Sequence, residues 1–95
     1  MRYMVVERFK ANSAKAIYER ARDRGRMLPD GLAYVDGWVS AKLDACFQVM
    51  ECNDKSLFEE WIRSWSDLIE FEVVEVISSA EASARALDLD DASPS

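Results

Sequence analysis

Six short segments alternate between two periodicities along this chain, and their order constrains the fold more than any other feature. Residues 2–9, "RYMVVERF", are β-rich and end in polar "KANSAK". Asn12 or Ser13 is then placed to cap a helix through about residue 26, with Ala14, Ile17, Tyr18, Ala21 and Leu28 on one apolar stripe. "LPDG" at 28–31 has turn composition, since Pro presets φ, Asp bonds local backbone and Gly tolerates positive φ. "LAYVDGWVS" at 32–40 and "DACFQVMEC" at 44–52 read as two strands joined by a tight hairpin, and Gly37 marks a bulge or a close backbone approach. Asn53 and Asp54 precede a second helix at about 55–66, with Leu57, Phe58, Trp61, Ile62 and Trp65 at i, i+3/i+4 spacing. "LIEFEVVEVIS" at 68–78 is a fourth strand.

Strand–helix–strand–strand–helix–strand is the split βαβ pattern of the ferredoxin-like α+β fold. It predicts one four-stranded antiparallel sheet with both helices on one face. Residues 1–78 make up this domain. Residues 79–95 differ: Ser78 and Glu81 have capping-box spacing for a short helix to about Leu87, and "DLDDASPS" reads as a frayed acidic tail.

A single domain of 95 residues buries a modest fraction of its surface, and self-association is the simplest way to add burial. Its formal net charge is -6, which argues against a nucleic-acid or anionic-membrane surface, because phosphate binding needs clustered cations. The chain has no apolar run of membrane-span length and no signal-peptide pattern in "MRYMVVERF", so a cytoplasmic location is expected. Arg20, Arg22, Arg24 and Arg26 alternate with Glu19 and Asp23. They read as a solvated helix face with internal ion pairs, or, for Arg24 and Arg26, as a pocket mouth that attracts an anion.

Cys46 and Cys52 sit six residues apart on one strand, roughly 20 Å at strand rise. A disulfide between them is excluded there, and two thiols without histidine fall short of a zinc site. The chain contains no histidine at all. Ser–His and Cys–His nucleophiles are therefore absent, and any acid–base chemistry falls to Asp, Glu, Tyr, Cys, Lys or Arg. No cofactor and no metal is expected.

The hairpin assigns the faces of the sheet. With the turn centred on Lys42, Ser40 opposes Asp44, Val39 opposes Ala45, Trp38 opposes Cys46, Asp36 opposes Gln48 and Tyr34 opposes Met50. Val35, Gly37, Val39, Ala45, Phe47 and Val49 then belong under the helices. Tyr34, Asp36, Trp38, Cys46, Gln48 and Met50 form the other face, which is too rich in aromatic and sulfur groups to sit in water. Its expected partner is a second copy, sheet against sheet, with C2 symmetry.

"MRYMVVERF", "RGRMLPDGLAYVDGWV", "CFQVMECND" and "FEEWIRSWSDLIEFEVVEV" resemble short bacterial proteins grouped as a domain of unknown function within the dimeric α/β-barrel superfamily. The resemblance covers roughly residues 1–82 and is most specific at "W-x3-W-x-D-L" and "C-F-Q-x-M-E". It implies the ferredoxin-like fold and a homodimer, in a superfamily that includes cofactor-free monooxygenases, isomerases and ligand-sensing domains. It supplies no catalytic residue.

Two functions follow as expectations. One is a small-molecule site in a cavity on the sheet face, lined by Tyr34, Asp36, Trp38, Cys46, Gln48 and Met50, with Asp36 and Glu7 as possible bases and Tyr3 or Tyr34 as hydrogen-bond donors. The other is a structural or regulatory interaction module with a filled dimer interface and no catalysis.

Overall fold

The computed structural model describes residues 1–92. Strand β1 (Arg2–Phe9), helix α1 (Ala14–Arg24), β2 (Ala33–Val39), β3 (Ala45–Glu51), α2 (Leu57–Arg63), β4 (Ile69–Val76) and α3 (Ser79–Ala92) follow one another along the chain. The sheet order is β2-β3-β1-β4, and every pairing is antiparallel. Each helical crossover thus joins parallel, non-adjacent strands, the ferredoxin-like arrangement predicted from the segment order. No helix among the described residues is long and apolar enough to cross a membrane.

Helix ends differ from the periodicity. α1 stops at Arg24 because Gly25 takes φ 67°, a left-handed conformation that glycine adopts without Cβ cost. The Ser13 hydroxyl does not cap α1. It donates instead to the carbonyls of Lys10 and Leu68, tying the helix start to the entry of β4. α2 is regular only over Leu57–Arg63, and Trp65 lies in the turns that follow. The Ser78 hydroxyl accepts from the Glu81 N–H at 3.0 Å, as its spacing suggests. α3 then runs to Ala92, beyond Leu87, and residues 93–95 lie outside the described residues. Ser79 through Asp88 are all exposed. This projecting helix gives a radius of gyration of 16.6 Å, where roughly 12 Å suits a compact chain of this length.

The core lies between the sheet and α1 and α2. Tyr3 and Val5 of β1, Met50 of β3, Ile17 of α1 and Phe58, Trp61 and Trp65 from α2 and its exit pack together with Ile69 and Cys52. Tyr3, Val5 and Met50 are fully enclosed, and burial of such a side chain stabilises by roughly 1.5–3 kcal/mol. Aromatic rings meet edge to face, Tyr3 on Phe58 at 5.0 Å and Trp61 on Phe71 at 5.2 Å.

The predicted faces are inverted in β3. Cys46, Gln48 and Met50 are buried on the helix side, and Ala45, Phe47 and Val49 lie on the open side. In β2 the alternation itself breaks. The register shifts between Tyr34 and Asp36, leaving Val35 as the extra residue of a bulge. Tyr34 still opposes Met50, as the hairpin predicts, but Asp36 opposes Val49, Gly37 opposes Gln48, Trp38 opposes Phe47 and Val39 opposes Cys46. Tyr34, Gly37 and Val39 thus share the helix side, while Asp36 and Trp38 share the open side. The hairpin loop also sits later than a turn centred on Lys42, with Ser40 N–H bonded to the Ala45 carbonyl and Leu43 at φ 59°.

The open side is apolar across its middle. Met4 pairs with Val49 and Val74, Val6 with Phe47, and Phe47 with Trp38. Trp38, Phe47 and Val74 are 58%, 41% and 45% exposed. Ion pairs Arg2–Glu51 and Arg8–Glu72 border this patch.

Candidate functional site

The polar residues buried under the helices gather at one place. β1 alternation puts Tyr3, Val5, Glu7 and Phe9 toward the helices, and β3 does the same for Cys46, Gln48 and Met50. Glu7 opposes Cys46 and Val5 opposes Gln48, so Glu7 and Gln48 are diagonal neighbours on one face. The Gln48 Nε2 amide donates to Glu7 Oε2. Gln48 Oε1 accepts from Arg26 Nη1 at 3.2 Å. These partners fix the amide orientation, because a guanidinium only donates and a carboxylate only accepts.

Arg26 is placed by three contacts. Gly25 and Met27, both at left-handed φ, turn the chain sharply after α1. The Arg26 carbonyl then accepts from two indoles, Trp61 Nε1 at 2.9 Å and Trp65 Nε1 at 3.1 Å. Its guanidinium lies 3.6 Å from the centroid of the Tyr34 ring, a close cation–π contact. Tyr34 can lean there because Gly37 has no side chain: a Cβ at that position would come within 3.0 Å of the Tyr34 Oη and 3.3 Å of Gln48 Cγ.

A cavity of about 160 Å³ opens beside this chain of bonds. Glu7, Cys46, Gln48, Arg26 and Tyr34 form its polar end, and Phe9, Ile17, Tyr18, Ala21, Trp61, Trp65 and Ile69 its apolar wall. Burial pushes the Glu7 carboxyl up to about 7, against the opposing pull of Arg26. Burial also raises the Cys46 thiol to about 11, with the Glu7 charge adding to it, so Cys46 is no nucleophile. The Tyr18 hydroxyl is raised as well, by burial first and then by Cys46 and Glu7. A carboxyl with these properties exchanges protons near neutral pH, in contact with a cavity.

Of the residues predicted to line a site, Tyr34, Cys46 and Gln48 meet here, and Trp38 stands at the rim. Met50 is in the core, and Asp36 is exposed on the open side, where its carboxylate accepts from the Gly37 N–H at 2.8 Å. The Tyr3 hydroxyl is sealed in the core with no partner among the described residues, instead of reaching a ligand. The cavity is therefore on the helix side of the sheet, not on the face where the sequence reading placed it. Glu7, considered as a base, belongs to the centre of the site. Arg26 belongs there too, while Arg20 leaves the supposed helix network to pair with Asp67 at 2.7 Å. A signal for the site was present: Glu7 and Gln48 are polar residues on the apolar registers of two strands.

Among solved structures, a protein of Nitrosomonas europaea provisionally assigned as an antibiotic biosynthesis monooxygenase aligns at 14% identity. The alignment covers 82% of this chain and 100% of that one, with TM-score 0.49. A second antibiotic biosynthesis monooxygenase aligns at 16% identity over 82% and 100% of the two chains, also at TM-score 0.49. A Chloroflexus aurantiacus protein provisionally assigned to the same group aligns at 15% over 83% and 96%, at TM-score 0.45. Comparison with functionally curated proteins finds no match. Residues 1–89 match the family model described as "Domain of unknown function (DUF3303)", and the chain belongs to that family.

Proposed function

We propose that the protein is a homodimer that binds a small molecule in each protomer, in the cavity between the sheet and α1. The observation that carries this reading is Glu7: a carboxyl group 5% exposed, held by one amide, at the polar end of a cavity. Burying a carboxyl costs stability unless its hydrogen bonds are satisfied. A chain with no use for the cavity would do better with an apolar residue at position 7. Glu7 is the group that exchanges a proton with the bound molecule. Gln48 and Arg26 set its charge and orientation.

The open sheet face carries the dimer. Apolar side chains from four strands form one patch there, and a second copy related by a two-fold axis would cover it. The cavity and the interface are thereby assigned to opposite faces, where the sequence had placed both on one.

Two measurements test the reading. Sedimentation at micromolar concentration is expected to give a dimer, and a stable monomer overturns the interface. Fragment screening by NMR is expected to shift the side-chain signals of Gln48 and the indole N–H signals of Trp61 and Trp65. Hits that cluster only on the open face overturn the cavity assignment.

A further inference from the structure

Glu7 and Arg26 bring opposite formal charges to one small cavity without touching each other. Gln48 accepts from Arg26 and donates to Glu7 Oε2, bridging the two. Among the described residues no donor reaches Glu7 Oε1, and that atom is not sealed off as the Tyr3 hydroxyl is. Glu7 itself lines the cavity. Arg26 likewise spends only Nη1 in a hydrogen bond, and among the described residues no carboxylate lies within salt-bridge distance of it. Stacking on Tyr34 holds its plane, so its remaining donors are oriented in advance.

We propose that this cavity takes a small organic monocarboxylate with an apolar body, its carboxylate lying between the Arg26 guanidinium and the Glu7 carboxyl. The proposal rests on the cavity being a ligand site. A planar carboxylate matches the donor fork of a guanidinium. Its second oxygen shares a proton with Glu7, which binding keeps neutral. The apolar wall of Phe9, Ile17, Trp61 and Trp65 receives the body. A phosphate would bring more negative charge than the single cation lining the cavity can balance. An ammonium ligand would be repelled by that cation.

The groups facing Glu7 agree with proton uptake. Cys46 of β3 and Tyr18 of α1 both have raised pKa values and stay neutral. Phe71, opposite Glu7 on β4, and the indoles of Trp61 and Trp65 carry no charge. Arg26, after α1 and over Tyr34 of β2, is the cation. A bound carboxylate offsets the pull of Arg26 on Glu7 and so retains the Glu7 proton.

Isothermal titration calorimetry of the full chain tests this with benzoate, phenylacetate and hexanoate against benzamide and benzylamine. The carboxylates are expected to bind with proton uptake that approaches one at pH 8 and nearly vanishes at pH 6, where Glu7 is already protonated, measured by repeating the titration in buffers of different ionisation enthalpy. Their affinity should be about tenfold weaker at pH 8 than at pH 6, given a Glu7 pKa of about 7. Glu7→Gln should keep the affinity and flatten its pH profile, and Arg26→Gln should abolish binding. Carboxylate binding in the unaltered protein that is flat between these pH values overturns the proposal, whatever the variants do. Preference for benzylamine or benzamide overturns the ligand class and leaves the cavity reading standing. Failure of every probe at millimolar concentration overturns both.

Discussion

Val6 and Glu7 are neighbours on β1 and face opposite ways, and the sheet differs accordingly on its two sides. The helix side mixes the tightest packing in the molecule with its most polar buried group. The open side is simpler: Met4, Val6, Phe47, Val49, Trp38 and Val74 make an apolar patch bordered by surface ion pairs. An apolar surface therefore does not by itself mark the interior of a protomer. Nor does a polar residue on a strand mark its exterior. What distinguishes the faces is how polarity is handled. On the helix side it is gathered into one linked set, Glu7–Gln48–Arg26, that leaves a carboxyl oxygen over for the cavity. On the open side it is moved to the rim.

Substitutions matched across the sheet can break this contrast. Met50→Ala should cost about 2–5 kcal/mol of protomer stability, because a fully enclosed side chain leaves a cavity. Phe47→Ala, on the opposite face of the same strand and 41% exposed, should leave that stability within about 1 kcal/mol and weaken the proposed dimer instead. Chemical denaturation followed at two protein concentrations separates the effects. Equal losses for the two variants would erase the distinction between the faces. Phe47→Glu places a charge at the patch centre in both copies and should produce monomers by sedimentation, with the fold intact by circular dichroism.

Glu7 sharpens the contrast through pH. Its folded pKa of about 7 stands above its ordinary 4.5, so the native state holds the proton more tightly than the unfolded chain. Stability attributable to Glu7 is complete below about pH 4.5 and is lost as pH rises through 7. At ~1.4 kcal/mol per pKa unit, the loss amounts to roughly 3 kcal/mol by pH 8. Glu7→Gln should remove that slope, measured by urea denaturation at pH 5 and pH 8. An unchanged slope would mean that Glu7 is solvated. The smallest effect is expected from Gly37→Ala, about 1 kcal/mol. Its new Cβ must displace Tyr34 from its place beneath Arg26, and an NMR titration of Glu7 should show its pKa rise further as Arg26 is released.

Much of this architecture was legible beforehand because segment order and periodicity are local properties. The strands at 2–9, 32–40 and 44–52, and the hairpin between the last two, needed no knowledge of the rest. The faces were not legible, for two physical reasons. Phe47 and Val49 look more like core than Cys46 and Gln48 if polarity alone decides, yet the cavity side is where an amide finds partners. The second reason is Val35, whose bulge exchanges the faces partway along β2, and no composition rule places such an insertion. Arg26 was legible as one of two arginines suited to a pocket mouth, but not as the partner of Gln48. Its position depends on indoles 35 and 39 residues further along the chain.

Those indoles have a use in the laboratory. The chain has three tryptophans, Trp38, Trp61 and Trp65. Trp61 and Trp65 are buried against the cavity, while Trp38, part of the open patch, is mostly solvated. Their fluorescence therefore carries two separable components, a short-wavelength emission from inside and a long-wavelength emission selected by red-edge excitation. Occupancy of the cavity should quench the first, and concentration-dependent association should shift the second to the blue. Both faces of the sheet can be watched in one cuvette without a label.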